Sequence, residues 1–525
     1  MLVQTVTAVL KMSLSGTFSA HENHLCAEVR KKRSTTILNR VHISQEAGRR
    51  ALLLGIFLAL AFAVRLTVAV CNPHTYHPDE TFQALEPAHR LVFGYGAVTW
   101  EWREGIRSWA LPGLVAIILC ATAWMSPGSA GYVHGVAFVF SLLSLSTVWF
   151  AWAWTRRLAG YKAAWIAVAV CSLNYWLIFF APRTLSEVLA TDLLLPGLYL
   201  GFFAAEGREK LRLFLAGVFC GLACGLRIQL LPTILLAVLW LCWKQWHHRL
   251  PALAAGVTLS AAFFGVIDTL TLGAPFLSYI RYFQANILEH RAATYGVSPW
   301  YYYFIVIACA LGPALLFCWH GARRSPFLAT MAMSIVLAHS CIGHKEDRFL
   351  YPALPMFLVL SVIGLTSFLG WLHQRYLTLS IPRAAVVLWL LCFILPSAGT
   401  AIGMDISSEG NLEDGSSWQQ PAYFALGRDP QLCGLATLRL PWQFTGGFSL
   451  LHRNLPILPV DSAAQLQQHA PSFNTLLTPD SNTEIPADYH KVQCWNGVCE
   501  YQRPGGCPSS APQDSLNLWL RRNGK

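Results

Sequence analysis

Long apolar runs separated by short, densely charged loops make up the chain from Ala51 to Ala398. A helix needs about 20 predominantly apolar residues to cross the ~30 Å hydrocarbon core of a bilayer. Ala51–Val70, Gly131–Trp154, Ala163–Ala181, Val188–Ala205, Pro251–Leu272, Tyr301–Trp319, Pro326–Ile342 and Leu350–Gly370 each read as one such helix. Leu213–Trp243 is too long for one and predicts a hairpin turning at Arg227 and Gln229. Ala384–Ala398 reads as the last crossing, which makes about eleven. Trp109–Met125 sits at the short end for a span and predicts a segment that lies along or dips into the outer leaflet.

Basic residues give these helices a direction, because Lys and Arg collect on the cytosolic side. Arg49 and Arg50, Arg156, Arg157 and Lys162, Arg208, Lys210 and Arg212, Lys244 with Arg249, Arg323 with Arg324, and Arg375 can all lie there at once. Residues 1–50 then form a basic cytosolic tail, expected to be disordered, and 51–400 the transmembrane domain with a first external loop at 71–130. Residues 401–525 form an external domain in which strand-like LCGLATLRL alternates with turn-rich TGG and GVCEYQRPGGC. The fold class expected is an all-α polytopic membrane protein with a small mixed α/β C-terminal domain.

Composition agrees. The 525 residues are 54 % hydrophobic and only 12 % charged, too little polar surface to wrap a soluble globule of this size. The net charge of +11 is explained by the cytosolic clusters, so no nucleic-acid partner is inferred. Neither a Walker loop, a dinucleotide glycine fingerprint nor a zinc-type cysteine pairing occurs, so nucleotide-driven pumping has no support. Of 15 cysteines, Cys433, Cys494, Cys499 and Cys507 fall in the C-terminal segment and permit two disulfides in any of three pairings. No Asn-x-Ser/Thr acceptor is present to bear on sidedness.

The threading brings every polar motif of the transmembrane portion to the external side. Pro78 suits the first position of a helix, and Asp79, Gln83, Glu86 and Arg90 then fall along one face of a short helix that Pro87 should bend. Asp79 and Glu80 would also offset the helix dipole without any chemistry. Pro182–Glu187 contributes Arg183 and Glu187, and an Arg227 set within an apolar run needs a partner. His344–Phe349 adds His344, Lys345, Glu346 and Arg348, and Trp300–Tyr303 reads as an interfacial aromatic belt. Carboxylates, cations and aromatics at one membrane face suit transfer from a lipid carrier: a carboxylate accepts the proton of an attacking hydroxyl, and cations neutralise a departing phosphate.

HPDETFQALEPAHRLVFGYGAVTWEWREGIRSW, followed by RTLSE and HKEDRF, resembles the lumenal mannosyltransferases of glycosyltransferase family 22 in the GT-C superfamily, over roughly Ala51–Gly370. TWEWREGIRSW looks most like the branch that adds the third mannose of glycosylphosphatidylinositol (GPI) anchors. The resemblance implies an endoplasmic-reticulum membrane enzyme with a lumenal site, a dolichyl-phosphate-mannose donor, a lipid-linked glycan acceptor, and no metal or other cofactor. It implies a single inverting displacement with Asp79 as base and Glu80 orienting or replacing it. Glu101, Glu104 and Arg107 would shape the acceptor side. From charge rather than from the family, Arg183, Arg227, Lys345 and Arg348 are expected at the donor phosphate. His77, Gln83, Glu187, His344 and Glu346 complete the expected contacts.

The C-terminal stretch GLATLRLPWQFTGGFSLLHRNLPILPVD is more similar to bacterial relatives. That leaves open a polyprenyl-phosphate-mannose donor, a periplasmic site and a cell-envelope glycan acceptor, or another α-mannosyltransfer of the N-glycan or GPI pathway. A lipid flippase or transporter is the non-enzyme alternative, although no internal repeat is found.

Overall fold

The computed structural model describes residues 21–71, 75–124, 131–206, 208–375, 387–388, 390–399, 419–482, 484–495, 497–508 and 515–525. Two compact units divide the chain, Met1–Ala59 and Leu60–Lys525. In the first, residues from His21, within the stretch expected from the sequence as a disordered tail, belong to the His21–Cys71 helix. No Gly or Pro interrupts residues 21–47, and a helix nucleated in an apolar segment propagates at little cost per added residue. The remainder of that expectation, residues 1–20, lies outside the described residues.

Among the described residues, five helices are long and apolar enough to cross a membrane: Gln45–Cys71, Gly131–Leu173, Trp246–Leu272, Tyr302–Arg324 and Leu354–Arg375. Ala110–Thr122, Ile228–Cys242 and Pro326–Ser340 are apolar but shorter. At 13 residues the Ala110–Thr122 helix rises only ~20 Å, short of a full crossing. Its Val115 and Leu119 pack with Leu85, Tyr132 and Phe140.

Breaks fall where the charge pattern put them. Gly160, at φ 81° and ψ 179°, interrupts the Leu145–Leu173 helix between Arg157 and Lys162. The Glu209–Leu226 helix ends at Arg227, whose backbone is extended (φ −141°, ψ 90°), and the chain resumes as the Leu231–Cys242 helix after one 3₁₀ turn. The expected final crossing, 384–398, lies partly outside the described residues.

Helix packing relies on absent side chains. A Cβ on Gly217 would sit 2.1 Å from the Leu253 carbonyl oxygen, and one on Gly256 would sit 2.1 Å from that of Phe214. Two helix backbones therefore touch, as small residues allow where apolar burial against lipid drives nothing. Ser260 Oγ donates to the Val218 carbonyl at 2.8 Å across the same seam.

The C-terminal domain, whose residues before Gln419 lie outside the described set, carries a five-stranded sheet in the order β2-β1-β3-β5-β4. Its strands are β1 (Leu435–Leu438), β2 (Ile457–Val460), β3 (Thr475–Pro479), β4 (His490–Trp495) and β5 (Val498–Gln502). β1 lies parallel to β2 and β3, and every residue of β1 is buried, as a parallel centre covered on both faces requires. β5 runs antiparallel to β3 and carries β4 at the edge. GVCEYQRPGGC, expected as turn, thus supplies a strand, because Val498, Glu500 and Gln502 alternate with Cys499 and Tyr501 across a pairable edge. The disulfides are Cys433–Cys507 and Cys494–Cys499.

One hydrophobic cluster of this domain, including Tyr423, Phe448 and Leu451, also takes in Phe82 and Ala97 of the first loop. Gly256→Val should force the two touching helices apart and cost about 1–3 kcal/mol, the range for overpacking. The check is the thermal midpoint of purified protein in detergent; a midpoint equal to wild type would contradict the backbone contact.

Candidate functional site

Pro78 opens a helical turn, but Glu80–Leu85 is wound as a π-helix before α-geometry resumes at Glu86–Phe93, with Pro87 inside its first turn. The wider winding is a correction to the single charged face expected from steps of four and three. Asp79, Gln83 and Glu86 therefore leave the helix in different directions and meet different partners. π-turns of this kind concentrate at functional sites.

Asp79 Oδ2 accepts from Arg348 Nη2 at 2.5 Å, although 269 residues separate the two. Arg348 is almost wholly buried, and it also faces Glu346 Oε2 at 2.5 Å and Glu187 Oε1 at 3.6 Å. Arg227 Nη2 shares that Glu187 oxygen at 3.1 Å and lies 4.4 Å above the Phe349 ring. His77 Nδ1 accepts the Asp79 backbone N–H at 3.2 Å, and its Nε2 lies 3.3 Å from Glu346 Oε2. His344 Nε2 closes the ring on Glu346 Oε1 at 2.9 Å. Four motifs distant in sequence thus supply one charge network, as the threading expected.

Burial alone would raise the Asp79 carboxyl, but Arg348 and then His77 hold it below the usual range. Glu346 is likewise depressed, burial being outweighed by Arg348 and His344. His344 is raised by its bond to Glu346. Asp79 keeps a quarter of its side chain exposed, so it is both ionised and reachable.

Glu80 is neither. Its carboxylate sits 3.3 Å from Arg183 at both oxygens, and one oxygen also accepts the backbone N–H groups of Tyr76 (2.8 Å) and His77 (3.0 Å). With only 5 % of its side chain exposed, it holds the turn that carries Asp79. The structure separates the two neighbours by partner, a distinction sequence order could not make.

Glu101 accepts from Arg107 at 2.7 and 3.1 Å and faces Gln83 Nε2 at 3.5 Å. Burial raises its carboxyl, Arg107 opposes this, and nearby Asp79 adds to the rise. Glu104 instead pairs with Arg291 at 2.6 Å on the exposed rim. Lys345 departs from its expected place at a donor phosphate. Its ammonium donates to the backbone carbonyls of Ser298 (3.0 Å), Ile342 and Gly343 (3.4 Å) rather than joining the network. The expected aromatic belt divides as well: Trp300 and Tyr301 are exposed, whereas Tyr302 donates to Asp347 Oδ1 at 2.6 Å and Tyr303 Oη accepts the Glu346 N–H at 3.2 Å.

A cleft of about 610 Å³ opens beside the network, lined by Gln83, Arg107, Leu111, Arg227, Gln229 and Tyr282 among others. Gln229 Nε2 donates to Tyr282 Oη at 2.5 Å, and Arg107 lies 5.5 Å above the Tyr282 ring. Arg227 Nε is buried without a hydrogen-bond partner among the described residues.

Glu86 and His89 were not singled out as site residues. Glu86 Oε1 accepts the Ser449 N–H (2.5 Å) and Oγ–H (2.6 Å), and its Oε2 accepts the Ala97 N–H at 2.5 Å. His89 Nε2 meets His452 Nδ1 at 2.9 Å. Burial pushes the Glu86 carboxyl up to about 7 against these hydrogen bonds and His89 down to about 4. A Glu one residue before a Pro gives no sequence signal that a distant domain will cover it.

A family model described as the Alg9-like mannosyltransferase family matches residues 56–407. The GPI mannosyltransferase 3 of Yarrowia lipolytica is 30 % identical over 330 residues, 59 % of this chain and 62 % of that protein. The Homo sapiens GPI alpha-1,2-mannosyltransferase 3 is 29 % identical over 376 residues, 67 % of this chain and 65 % of its own. The chain therefore spans just under two thirds of the length of each of these two relatives. Among solved structures, ArnT from Cupriavidus metallidurans bound to undecaprenyl phosphate superposes with a TM-score of 0.56 at 11 % identity, covering 87 % of this chain and 99 % of that one. The likeness to ArnT is one of fold.

Removing one partner of a buried ion network leaves the others uncompensated. Glu187→Ala strands Arg227 and takes one of three anions from Arg348, and should cost about 3–5 kcal/mol in detergent melts, with Glu187→Gln less damaging; equal melting of both variants and wild type would refute the pairing. Glu86 gives a pH signature. The folded state binds its proton more tightly than the unfolded chain, so stability is full below the ordinary carboxyl value of 4.5 and falls as pH climbs through about 7. Glu86→Gln should flatten the melting profile across that window.

Proposed function

The chain belongs to the Alg9-like mannosyltransferase family, and on that premise we propose that it transfers mannose from dolichyl-phosphate-mannose to a lipid-linked glycan, adding the third, α-1,2-linked mannose of the GPI anchor precursor. The names of its relatives support the acceptor, and both relatives described above come from eukaryotes, which favours dolichyl over a bacterial polyprenyl carrier. ArnT, of like fold, carries undecaprenyl phosphate, a carrier of the same chemical class. The observation that carries the reading is the 2.5 Å contact between Asp79 and Arg348, which joins the HPDE and HKEDRF motifs in one partly open site.

The displacement is a single step. An acceptor hydroxyl attacks C1 of the β-linked mannosyl phosphate, the C1–O bond to phosphate breaks, the hydroxyl proton passes to Asp79, and the α-glycoside leaves with a free lipid phosphate. Asp79 is a weak base while Arg348 holds it. A phosphate entering the cleft competes for guanidinium contacts, with the unpartnered Arg227 Nε as the N–H already available. As Arg348 turns toward that phosphate, Asp79 loses its partner and becomes more basic when the hydroxyl arrives. Glu101, Arg107 and Gln83 form the wall on which sugar hydroxyls are recognised. Arg183 holds Glu80 and serves the site through the turn. Eleven crossings, a lumenal site in the endoplasmic reticulum and a lumenal C-terminal domain are the topology that goes with this reading; the two disulfides of that domain suit an oxidising compartment.

In microsomes supplied with radiolabelled dolichyl-phosphate-mannose and a two-mannose GPI precursor, Asp79→Ala should lower transfer by on the order of 10²–10⁴-fold at equal protein abundance. Near-normal transfer by both Asp79→Ala and Glu80→Ala would end the assignment of the base. Transfer to an N-glycan precursor instead would overturn the acceptor alone.

A further inference from the structure

We propose that Gln420 and Ser449, side chains of the C-terminal domain beyond the residues matched by the family, are positioning residues for the Asp79 carboxylate. The inference rests on the reading of Asp79 as the base. Gln420 is 1 % exposed, and its amide grips Thr75 twice: Oε1 accepts the Thr75 N–H at 2.6 Å and Nε2 donates to Thr75 Oγ1 at 2.5 Å. Ser449, fully buried, donates its N–H and hydroxyl to the same oxygen of Glu86. Thr75 and Glu86 bracket the turn that carries His77, Asp79 and Glu80. Both ends of that turn are therefore fixed from one domain, and Phe82 between them packs on Trp442 with ring centroids 5.0 Å apart.

A π-turn needs this support. Its winding is less favourable than α, and within the loop it is braced by the Glu80 carboxylate on Tyr76 and His77 and by Trp102 Nε1, which donates to the Phe82 carbonyl at 2.8 Å. Productive geometry at a reacting carboxylate is held within about 0.5 Å, and a displacement near 1 Å from a distant change can cost on the order of 10²-fold. Releasing Thr75 or Glu86 lets the turn relax toward α-winding, which swings Asp79 away from Arg348. The sheet domain thus sets the base without touching substrate.

Gln420→Met keeps the side-chain length and removes both hydrogen bonds; Ser449→Ala removes one. Each should lower kcat about 10-fold with KM for donor and acceptor unchanged, and Ser449→Thr should restore it. In an Asp79→Ala background neither should lower the residual rate further, because the group being positioned is gone. Amide hydrogen exchange of residues 76–80 should accelerate in Gln420→Met. Wild-type kcat in both single variants, an equal further loss in the Asp79→Ala background, or unchanged exchange each overturns the clamp. Asp79→Ala with near-normal transfer sinks the base reading instead, and the exchange measurement still decides the clamp on its own.

Discussion

A guanidinium buried beside apolar helices needs carbonyls or anions to meet it, and Arg348 meets three carboxylates. Asp79, Glu187 and Glu346 reach it from the first loop, the start of the Ser186–Phe202 helix and its own loop. Each of those carboxylates would itself be untenable there without the cation. Closing this network therefore fixes where three segments sit relative to one another. Arg227 joins through Glu187, which is why the long apolar run must break at that residue and not elsewhere.

The same constraint explains the unusual winding after Asp79. An α-helix from Pro78 to Phe93 would point Asp79, Gln83 and Glu86 along one stripe, yet their partners lie apart: Arg348 for the first, Glu101 for the second, Ser449 for the third. One wide turn resolves the conflict. Glu80 braces it from within, and the C-terminal domain braces it from outside through Thr75 and Glu86.

Much of this was legible in the sequence where charge interrupts apolar patterning. The break at Arg227, the break between Arg157 and Lys162, and the convergence of HPDE with HKEDRF follow from the cost of burying ions, which a sequence displays directly. What stayed hidden depends on partners far away in the chain. Lys345 looked like a phosphate ligand because composition shows its charge, not the three carbonyls it caps. Glu86 looked like one member of a charged stripe because period counting assumes α-winding. The strand in GVCEYQ was masked by the glycines beside it, and its identity comes from pairing with β3.

The balance of charge also bears on how the site works. Asp79, Glu187 and Glu346 face Arg348 and Arg227, three carboxylates against two guanidinium groups, and Glu346 raises the affinity of the His344 imidazole for protons. The network thus offers an incoming phosphate no standing excess of positive charge. On the proposed reading, a phosphate that meets more than the free Arg227 Nε does so when a guanidinium exchanges one anion for another. Since Arg348 spans Asp79 and the Glu187 it shares with Arg227, the exchange that accepts the phosphate is the one that frees the carboxylate. Under the proposed function, donor binding and activation of the base are then a single rearrangement, and an acceptor hydroxyl meets a competent base only when a sugar is in place to receive it.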